Sequence, residues 1–245
     1  MHEYKHALTL PTLYATLPCD PSQEIICIGG GRPPETDWLT GLIQQRNMCG
    51  SDDPIWAIDR GVDLCHALRL PPSHLIGDGD SASKTAWAWA EMQGAQVHSF
   101  PPKKDFTDTE LTLHIAAERF ARPLIILTGA FGGRLDHLMS TATVAAHATI
   151  SCVLADERET LFYLHAGESL TVTCDTAPRA ISLLPFTEEC TGVTTHGLYW
   201  ELRDACITNR ASLAISNVLA RENTKNTFTV SIKSGVLGVY LCHKE

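Results

Sequence analysis

The chain reads as an α/β protein: a mostly parallel sheet with helices on both faces, followed by a smaller all-β sandwich domain. Three observations lead there. From about residue 24, short apolar runs alternate with longer helix-like stretches, the pattern of successive βα units. Runs such as LIILTG (124–129) are apolar nearly throughout, which suits strands buried on both faces of a parallel sheet. Beyond about residue 160 the alternation stops. Strand-like pieces separated by Gly, Pro, Asn and Asp clusters replace it, as in an antiparallel sandwich.

Taken in order, strands are expected at 25–28, 55–58, 74–76, 96–100, 124–127 and 152–154, and helices at 37–48, 62–70, 83–93, 107–120 and 135–150. Thr107-Asp108-Thr109-Glu110 fits a capping box, with Thr107 as the N-cap and Glu110 at the third helical position. The later pieces are ETLFYLHAG, SLTVTCD, AISLLPF, GLYWELRD, TFTVSIKSG and VLGVYLCH. Within GLYWELRD, Leu198, Trp200 and Leu202 alternate on one strand face. The expected organisation is an N-terminal extension (1–23), an α/β domain (24–160) and a β sandwich (161–245).

Bulk properties narrow the class. With 44% hydrophobic and 19% charged residues, the chain is an ordinary globular sequence. A formal net charge of −9 argues against a nucleic-acid backbone as the main partner, which needs clustered Lys and Arg. Nine cysteines without a CxxC pair resemble neither a disulfide framework nor a zinc site, so a reducing cytoplasm is the expected setting. MHEYKHALTLPTLYATLP shows no basic segment leading into an unbroken apolar one. No apolar run approaches the roughly 20 residues of a membrane span.

The chemistry-bearing residues gather where predicted strands end. These clusters are Gly29-Gly30-Gly31-Arg32, Asp59-Arg60-Gly61, Asp78-Gly79-Asp80-Ser81, Lys103 to Asp108, and Gly129 to His137 (GAFGGRLDH). Open α/β sheets bind ligands outside the carboxyl ends of their strands. Asp78 and Asp80, spaced i and i+2 around a glycine, put two carboxylates on one side of an extended segment, with Cα atoms roughly 6–7 Å apart. Such a pair can hold one hard cation. Mg²⁺ needs only one or two carboxylates beside phosphate oxygens and water. Glycines ahead of a helix leave backbone N–H groups for an anion, and Arg134 can clamp phosphate with its planar fork. Together they suit phosphoryl-group transfer from a nucleotide. Blander readings exist for each part. Asp80 or Ser81 can cap the next helix, and Asp108 can complement its dipole for about 0.3–1 kcal/mol. The glycine loop matches neither GxGxxG nor GxxxxGK[ST], which disfavours a nicotinamide enzyme and a P-loop kinase.

In order and spacing, these motifs resemble the thiamine pyrophosphokinase family in its bacterial form. The family's GD-x-DS motif corresponds to Gly77 through Ser81, its KD-x-TD-x-E motif to Lys104 through Glu110, and its G-x-x-GGR-x-DH motif to Gly129 through His137. Its Gly-Leu-x-Trp element corresponds to Gly197-Leu198-Tyr199-Trp200, and its Ser-Asn to Ser216-Asn217. The resemblance implies a Rossmann-like catalytic domain with a β-sandwich thiamine-binding domain. It also implies transfer of the diphosphate group of ATP to the hydroxyl of thiamine, giving thiamine diphosphate and AMP, in a cytoplasmic homodimer. It assigns Asp78, Asp80 and Asp108 to Mg²⁺ and Asp105 to the same acidic group. Gly30, Asp59, Lys104, Gly132, Gly133 and Arg134 fall to ATP and its phosphates. Asp136, His137, Trp200, Ser216 and Asn217 fall to thiamine, with Asp136 binding the acceptor or assisting removal of its hydroxyl proton and Trp200 stacking on the acceptor across the dimer interface. Two positions depart from the pattern: Arg60-Gly61-Val62 follows Asp59 where the family usually has Asp-Gly-Gly-Ala, and Ser140 stands where it commonly has Asn. Rival readings are a pyrophosphokinase acting on a pterin alcohol and a non-catalytic thiamine or nucleotide sensor.

Overall fold

The computed structural model describes residues 5–47, 55–99 and 106–244. Two compact units result, one of Met1–Asp20 with Glu157–Glu245 and one of Pro21–Asp156. Within the expected extension, residues 6–17 are therefore part of the β unit. They carry a hairpin, β1 (His6–Leu10) and β2 (Leu13–Leu17), that belongs to the β unit. Leu8 and Leu10, then Leu13, Ala15 and Leu17, alternate inward and are buried. That period-two pattern forces the segment into a sheet, because left in solvent it would expose five apolar side chains.

The α/β unit runs β3 (Gln23–Ile28), α1 (Thr36–Asn47), β4 (Ile55–Ile58), α2 (Gly61–Leu68), β5 (His74–Gly77), α3 (Lys84–Met92), β6 (Gln96–Ser99), α4 (Asp108–Arg119), β7 (Pro123–Thr128), α5 (Leu135–His147) and β8 (Ser151–Ala155). Its strands lie in the order β8-β7-β3-β4-β5-β6, and each adjacent pair is parallel. β4, β5 and β7 are buried along their whole length. Burying each Ile or Leu contributes about 1.5–3 kcal/mol, which is why these runs need no alternation. β6, at the edge, is mostly exposed. Thr107 caps α4 by accepting from the Glu110 amide at 3.2 Å. α2 stops at Arg69, which adopts a left-handed backbone (φ 54°) ahead of Pro71 and Pro72.

Seven more strands complete the β unit: β9 (Glu159–Leu164), β10 (Ser169–Cys174), β11 (Ala180–Pro185), β12 (Glu189–His196), β13 (Ala205–Thr208), β14 (Thr227–Ser231) and β15 (Leu237–Cys242). One antiparallel sheet is ordered β1-β2-β10-β14-β12-β13, and β11, β15 and β9 pair antiparallel in that order. The expected strand GLYWELRD does not form. The strand is β12, just upstream, where the β-branched run Val193-Thr194-Thr195 favours the pleat. Gly197 ends it with φ +83°, and a Cβ there would lie 2.5 Å from the Thr227 carbonyl oxygen. The chain then folds back so that Thr195 and Leu202 bond each other. Among the described residues, no helix is long and apolar enough to cross a membrane.

Candidate active site

The sheet topology selects the functional edge. β3 continues to β4 on one side while β7 lies on its other side, so the chain direction across the sheet switches at β3 and β7. A crevice outside the carboxyl ends is expected at such a point. Two glycine-rich loops meet here. The amides of Gly29 and Gly31 donate to the carbonyls of Thr128 (2.8 Å) and Gly129 (2.7 Å), and that of Arg32 donates to Phe131 (2.7 Å). A Cβ on Gly129 would lie 2.4 Å from the Gly29 oxygen, and one on Gly31 would lie 2.6 Å from the Gly129 oxygen. These glycines therefore let two backbones touch. Of the glycines expected at phosphate, Gly30 faces the Arg60 side chain and Gly132 faces that of Arg32. Gly133 opens to free space with φ +70°. Arg32 in turn pairs with the fully buried Asp156 (Nη2 to Oδ2, 2.6 Å), an anchor the sequence did not announce.

One strand further along, the carboxylates converge. Ile58 and Ile76 are register partners on β4 and β5, so Asp59 and the residues after Gly77 leave the sheet side by side. The Asp59 amide donates to the Ile76 carbonyl at 2.7 Å. A Cβ on Gly77 would sit 3.1 Å from Asp59 Cβ and 3.5 Å from Asp108 Cγ, so glycine here keeps the floor of the site clear. Carboxylate oxygens of Asp59, Asp78 and Asp80 lie within 4.8 Å of one another. The trio differs from the expected Asp78, Asp80 and Asp108. Asp59 supplies the third oxygen, and Asp108 stands next to Asp59 at the start of α4. Asp105 and Lys104 lie outside the described residues.

The electrostatics match the crowding. Burial pushes the Asp59 carboxyl above its ordinary value, with the charges of Asp108 and Asp78 adding to it and a hydrogen bond from Ser81 opposing it. The charge of Asp78 is the main cause that raises Asp80. Asp59 Oδ2 accepts the Ser81 hydroxyl, whereas its buried Oδ1 has no hydrogen-bond partner among the described residues. An orphaned anionic oxygen is costly in a folded chain. An octahedral Mg²⁺ with bonds near 2.1 Å sets ligand oxygens roughly 3–4 Å apart, so small rotamer changes bring this group to a divalent ion. The donor set fits a hard cation. Ser81 does not cap α3. Ser83 does, accepting from the Ala86 amide at 3.2 Å, while its own amide donates to Asp63 Oδ1 at 3.0 Å.

At the start of α5, Arg134 and Asp136 form a two-pronged pair (Nε to Oδ1 3.1 Å, Nη2 to Oδ2 2.5 Å). The guanidinium holds the Asp136 carboxyl below its usual range, helped by the His137 amide at 3.0 Å. Both side chains are exposed, so the pair adds little stability and is available for exchange. His137 is exposed beside them.

The remaining expected residues lie in the β unit. Trp200 is 60% exposed and meets Tyr199 edge-on, with ring centroids 4.8 Å apart. The alternation of Leu198, Trp200 and Leu202 also suits a core tryptophan, but the ring lies at the surface. Asn217 is buried and committed to its neighbour: Oδ1 accepts the amides of Trp200 (3.1 Å) and Val218 (2.9 Å), and Nδ2 donates to the Trp200 carbonyl (2.8 Å). It fixes the backbone that presents the tryptophan. Replacing Asn217 by Ala is expected to cost about 2–3 kcal/mol, since it strands buried backbone groups; urea unfolding measures this. Ser216 is exposed with a left-handed backbone (φ 58°), and its amide donates to Ser182 Oγ at 3.0 Å. A cleft of about 840 Å³ opens between residues 197–201 and 220–227, lined in part by Tyr199, Glu201, Arg221 and Lys225.

A switch-point α/β unit with clustered carboxylates and a cation-bearing glycine loop, followed by a β unit with a displayed tryptophan, defines a phosphate-group transferase of two-unit design. Two family models match: the thiamin pyrophosphokinase catalytic domain over residues 46–154 and the thiamin pyrophosphokinase vitamin B1 binding domain over residues 169–237. The chain belongs to the thiamine pyrophosphokinase family. It is 29% identical over 188 residues to thiamine pyrophosphokinase of Bacillus subtilis, covering 75% of this chain and 85% of that one. The crystal structure of thiamine pyrophosphokinase from Bacillus subtilis superposes with a TM-score of 0.74 at 24% identity, over 91% of this chain and all of that one. That of thiamin pyrophosphokinase from Geobacillus thermodenitrificans gives 0.69 at 26% identity, over 91% and 98%.

Proposed function

We propose that this chain transfers the diphosphate group of ATP to thiamine, with Mg²⁺ held at Asp59, Asp78 and Asp80. The observation that carries this reading is the convergence of those three carboxylates within 4.8 Å at a sheet edge that also bears a glycine loop and Arg134. The hydroxyethyl oxygen of thiamine attacks the β-phosphorus, the bond from that phosphorus to the AMP oxygen breaks, and the hydroxyl proton leaves to a base. A bound divalent ion would polarise the phosphate oxygens and offset the developing negative charge. Arg134 releases Asp136 to grip phosphate, and Gly133 offers its amide at the start of α5. Asp108 helps to hold the acidic group in place, with Asp105 and Lys104 assigned beside it on the resemblance. Asp136, held at low basicity by Arg134, suits binding the acceptor better than taking its proton. In the β unit, Trp200 stacks on the thiamine rings, while Asn217 acts through Trp200. A cytoplasmic homodimer is the assembly proposed, and light scattering of the purified protein tests it.

The test of function is to supply ATP, Mg²⁺ and thiamine and to separate the nucleotide products. AMP and thiamine diphosphate are expected in equal amounts. ADP in place of AMP would rule out diphosphate transfer, and tight thiamine binding without turnover would point to a sensor.

A further inference from the structure

We infer that Ser81 is a positioning residue that orients Asp59 as the third oxygen donor of the cation site; this rests on the metal reading above. Four observations lead to it. The hydroxyl of Ser81 is not spent on the following helix, whose cap is Ser83. It donates instead to Asp59 Oδ2, across from the β5 loop to the end of β4. The bond engages one carboxylate oxygen and leaves the other, Oδ1, buried and without a partner among the described residues. The same loop carries Asp78 and Asp80, and its shape is set by the Asp80 amide donating to Asp78 Oδ1 at 3.1 Å. The hydroxyl thus fixes the rotation of Asp59, and with the Asp59 amide bond to the Ile76 carbonyl it ties this strand end to the loop bearing the other two carboxylates.

The chemistry follows from how cation sites are built. A carboxylate free to rotate shares its two oxygens between solvent and ion and loses entropy on binding. One whose distal oxygen is already hydrogen-bonded presents the other in place. Hydrogen bonds of this kind typically change metal affinity by about 10–100-fold. Ser81 touches neither phosphate nor acceptor in this scheme, so its effect passes through Asp59.

The experiment titrates the full chain with Mn²⁺, following the free ion by electron paramagnetic resonance, and records the Mg²⁺ needed for half-maximal turnover. S81A is expected to weaken Mn²⁺ binding about tenfold or more, with a parallel rise in the Mg²⁺ requirement and an unchanged KM for thiamine. S81T and S81V, alike in shape, isolate the hydroxyl should the smaller Ala disturb the loop. The Thr variant is expected to keep Mn²⁺ affinity and the Val variant to lose it. Wild-type affinity in S81A and S81V, or equal losses in S81T and S81V, would overturn the role of Ser81 and leave the metal site standing. Absence of Mn²⁺ binding by the wild type would overturn the metal reading itself, and this inference with it.

Discussion

Asp78→Asn and Asp80→Asn are each expected to abolish diphosphate transfer, by about a thousandfold or more, while leaving the metal-free protein at least as stable as the parent. The catalytic half follows from charge. A bound cation stabilises a phosphoryl transition state by several kcal/mol, and each 1.36 kcal/mol is tenfold in rate. Asn keeps the shape and the Oδ1 acceptor that the Asp80 amide uses in the turn, so only charge and ligand strength are lost. The stability half follows from the burial that raises Asp59 and from the repulsion by which Asp78 raises Asp80. Asp59 and Asp80 both have carboxyls raised above the ordinary 3.8. A group with a raised folded-state value binds its proton more readily folded than unfolded, so it lowers stability at pH above that value. The loss fades as pH falls through the raised value toward 3.8. Asp78→Asn removes the charge that chiefly raises Asp80, and Asp80→Asn removes the repelled charge itself. Melting curves with and without Mg²⁺ check this: the ion is expected to raise the melting temperature of the parent and not that of the variants. Parental turnover in either variant would return these carboxylates to an ordinary turn.

The α/β unit was legible because its signals are local and strong. Runs such as Ile55–Ile58 and Pro123–Thr128 are buried along their whole length, and length with apolarity alone identifies them. The capping residue Thr107 likewise speaks through nearest neighbours. The β unit was harder. Trp200 lies in a stretch whose alternation imitates a strand, yet the polar groups of its backbone are satisfied by the Asn217 side chain. That bond spans 17 positions, and no periodicity encodes it. The N-terminal hairpin shows the converse. Its alternation was in the sequence, but its pairing partner, β10, lies some 150 residues on, as Ala15↔Val172 shows, so the segment looked detached.

The site divides along the same line. Residue types at the strand ends were readable, since carboxylates after consecutive parallel strands must share an edge. Which of them approach was not readable, because that depends on register. The pairing of Ile58 with Ile76 sets Asp59 against the Gly77 turn and makes it, ahead of Asp108, the third member of the close trio. Ser81 illustrates the same point. Its position suggested a cap, but the cap had fallen to Ser83 two residues later, which left the hydroxyl for a carboxylate 22 positions away.

Trp200→Ala is expected to raise the KM for thiamine about 10–100-fold, with the KM for ATP and the fold nearly unchanged. The ring is 60% exposed, so its removal leaves no cavity, and surface substitutions of that kind usually shift stability by less than about 0.5 kcal/mol. On the proposed reading the indole stacks on the acceptor. A thiazolium over an indole face gains up to about 2 kcal/mol once water is excluded, and ring stacking adds about 0.5–1.5 kcal/mol. Together they amount to at most about 3.5 kcal/mol, and the stated range corresponds to about 1.4–2.8 kcal/mol of it at 1.4 kcal/mol per tenfold. Trp200→Phe keeps a face and should recover part of the loss. The comparison with Asn217→Ala is the sharper check. That variant retains the indole but frees its backbone, so it should weaken thiamine binding and lower stability together, whereas Trp200→Ala should weaken binding alone. Isothermal titration with thiamine, set beside urea unfolding of both variants, separates a residue that touches the acceptor from one that only presents it. A marked loss of stability in Trp200→Ala would mean that the indole is held by the fold and not displayed for a ligand.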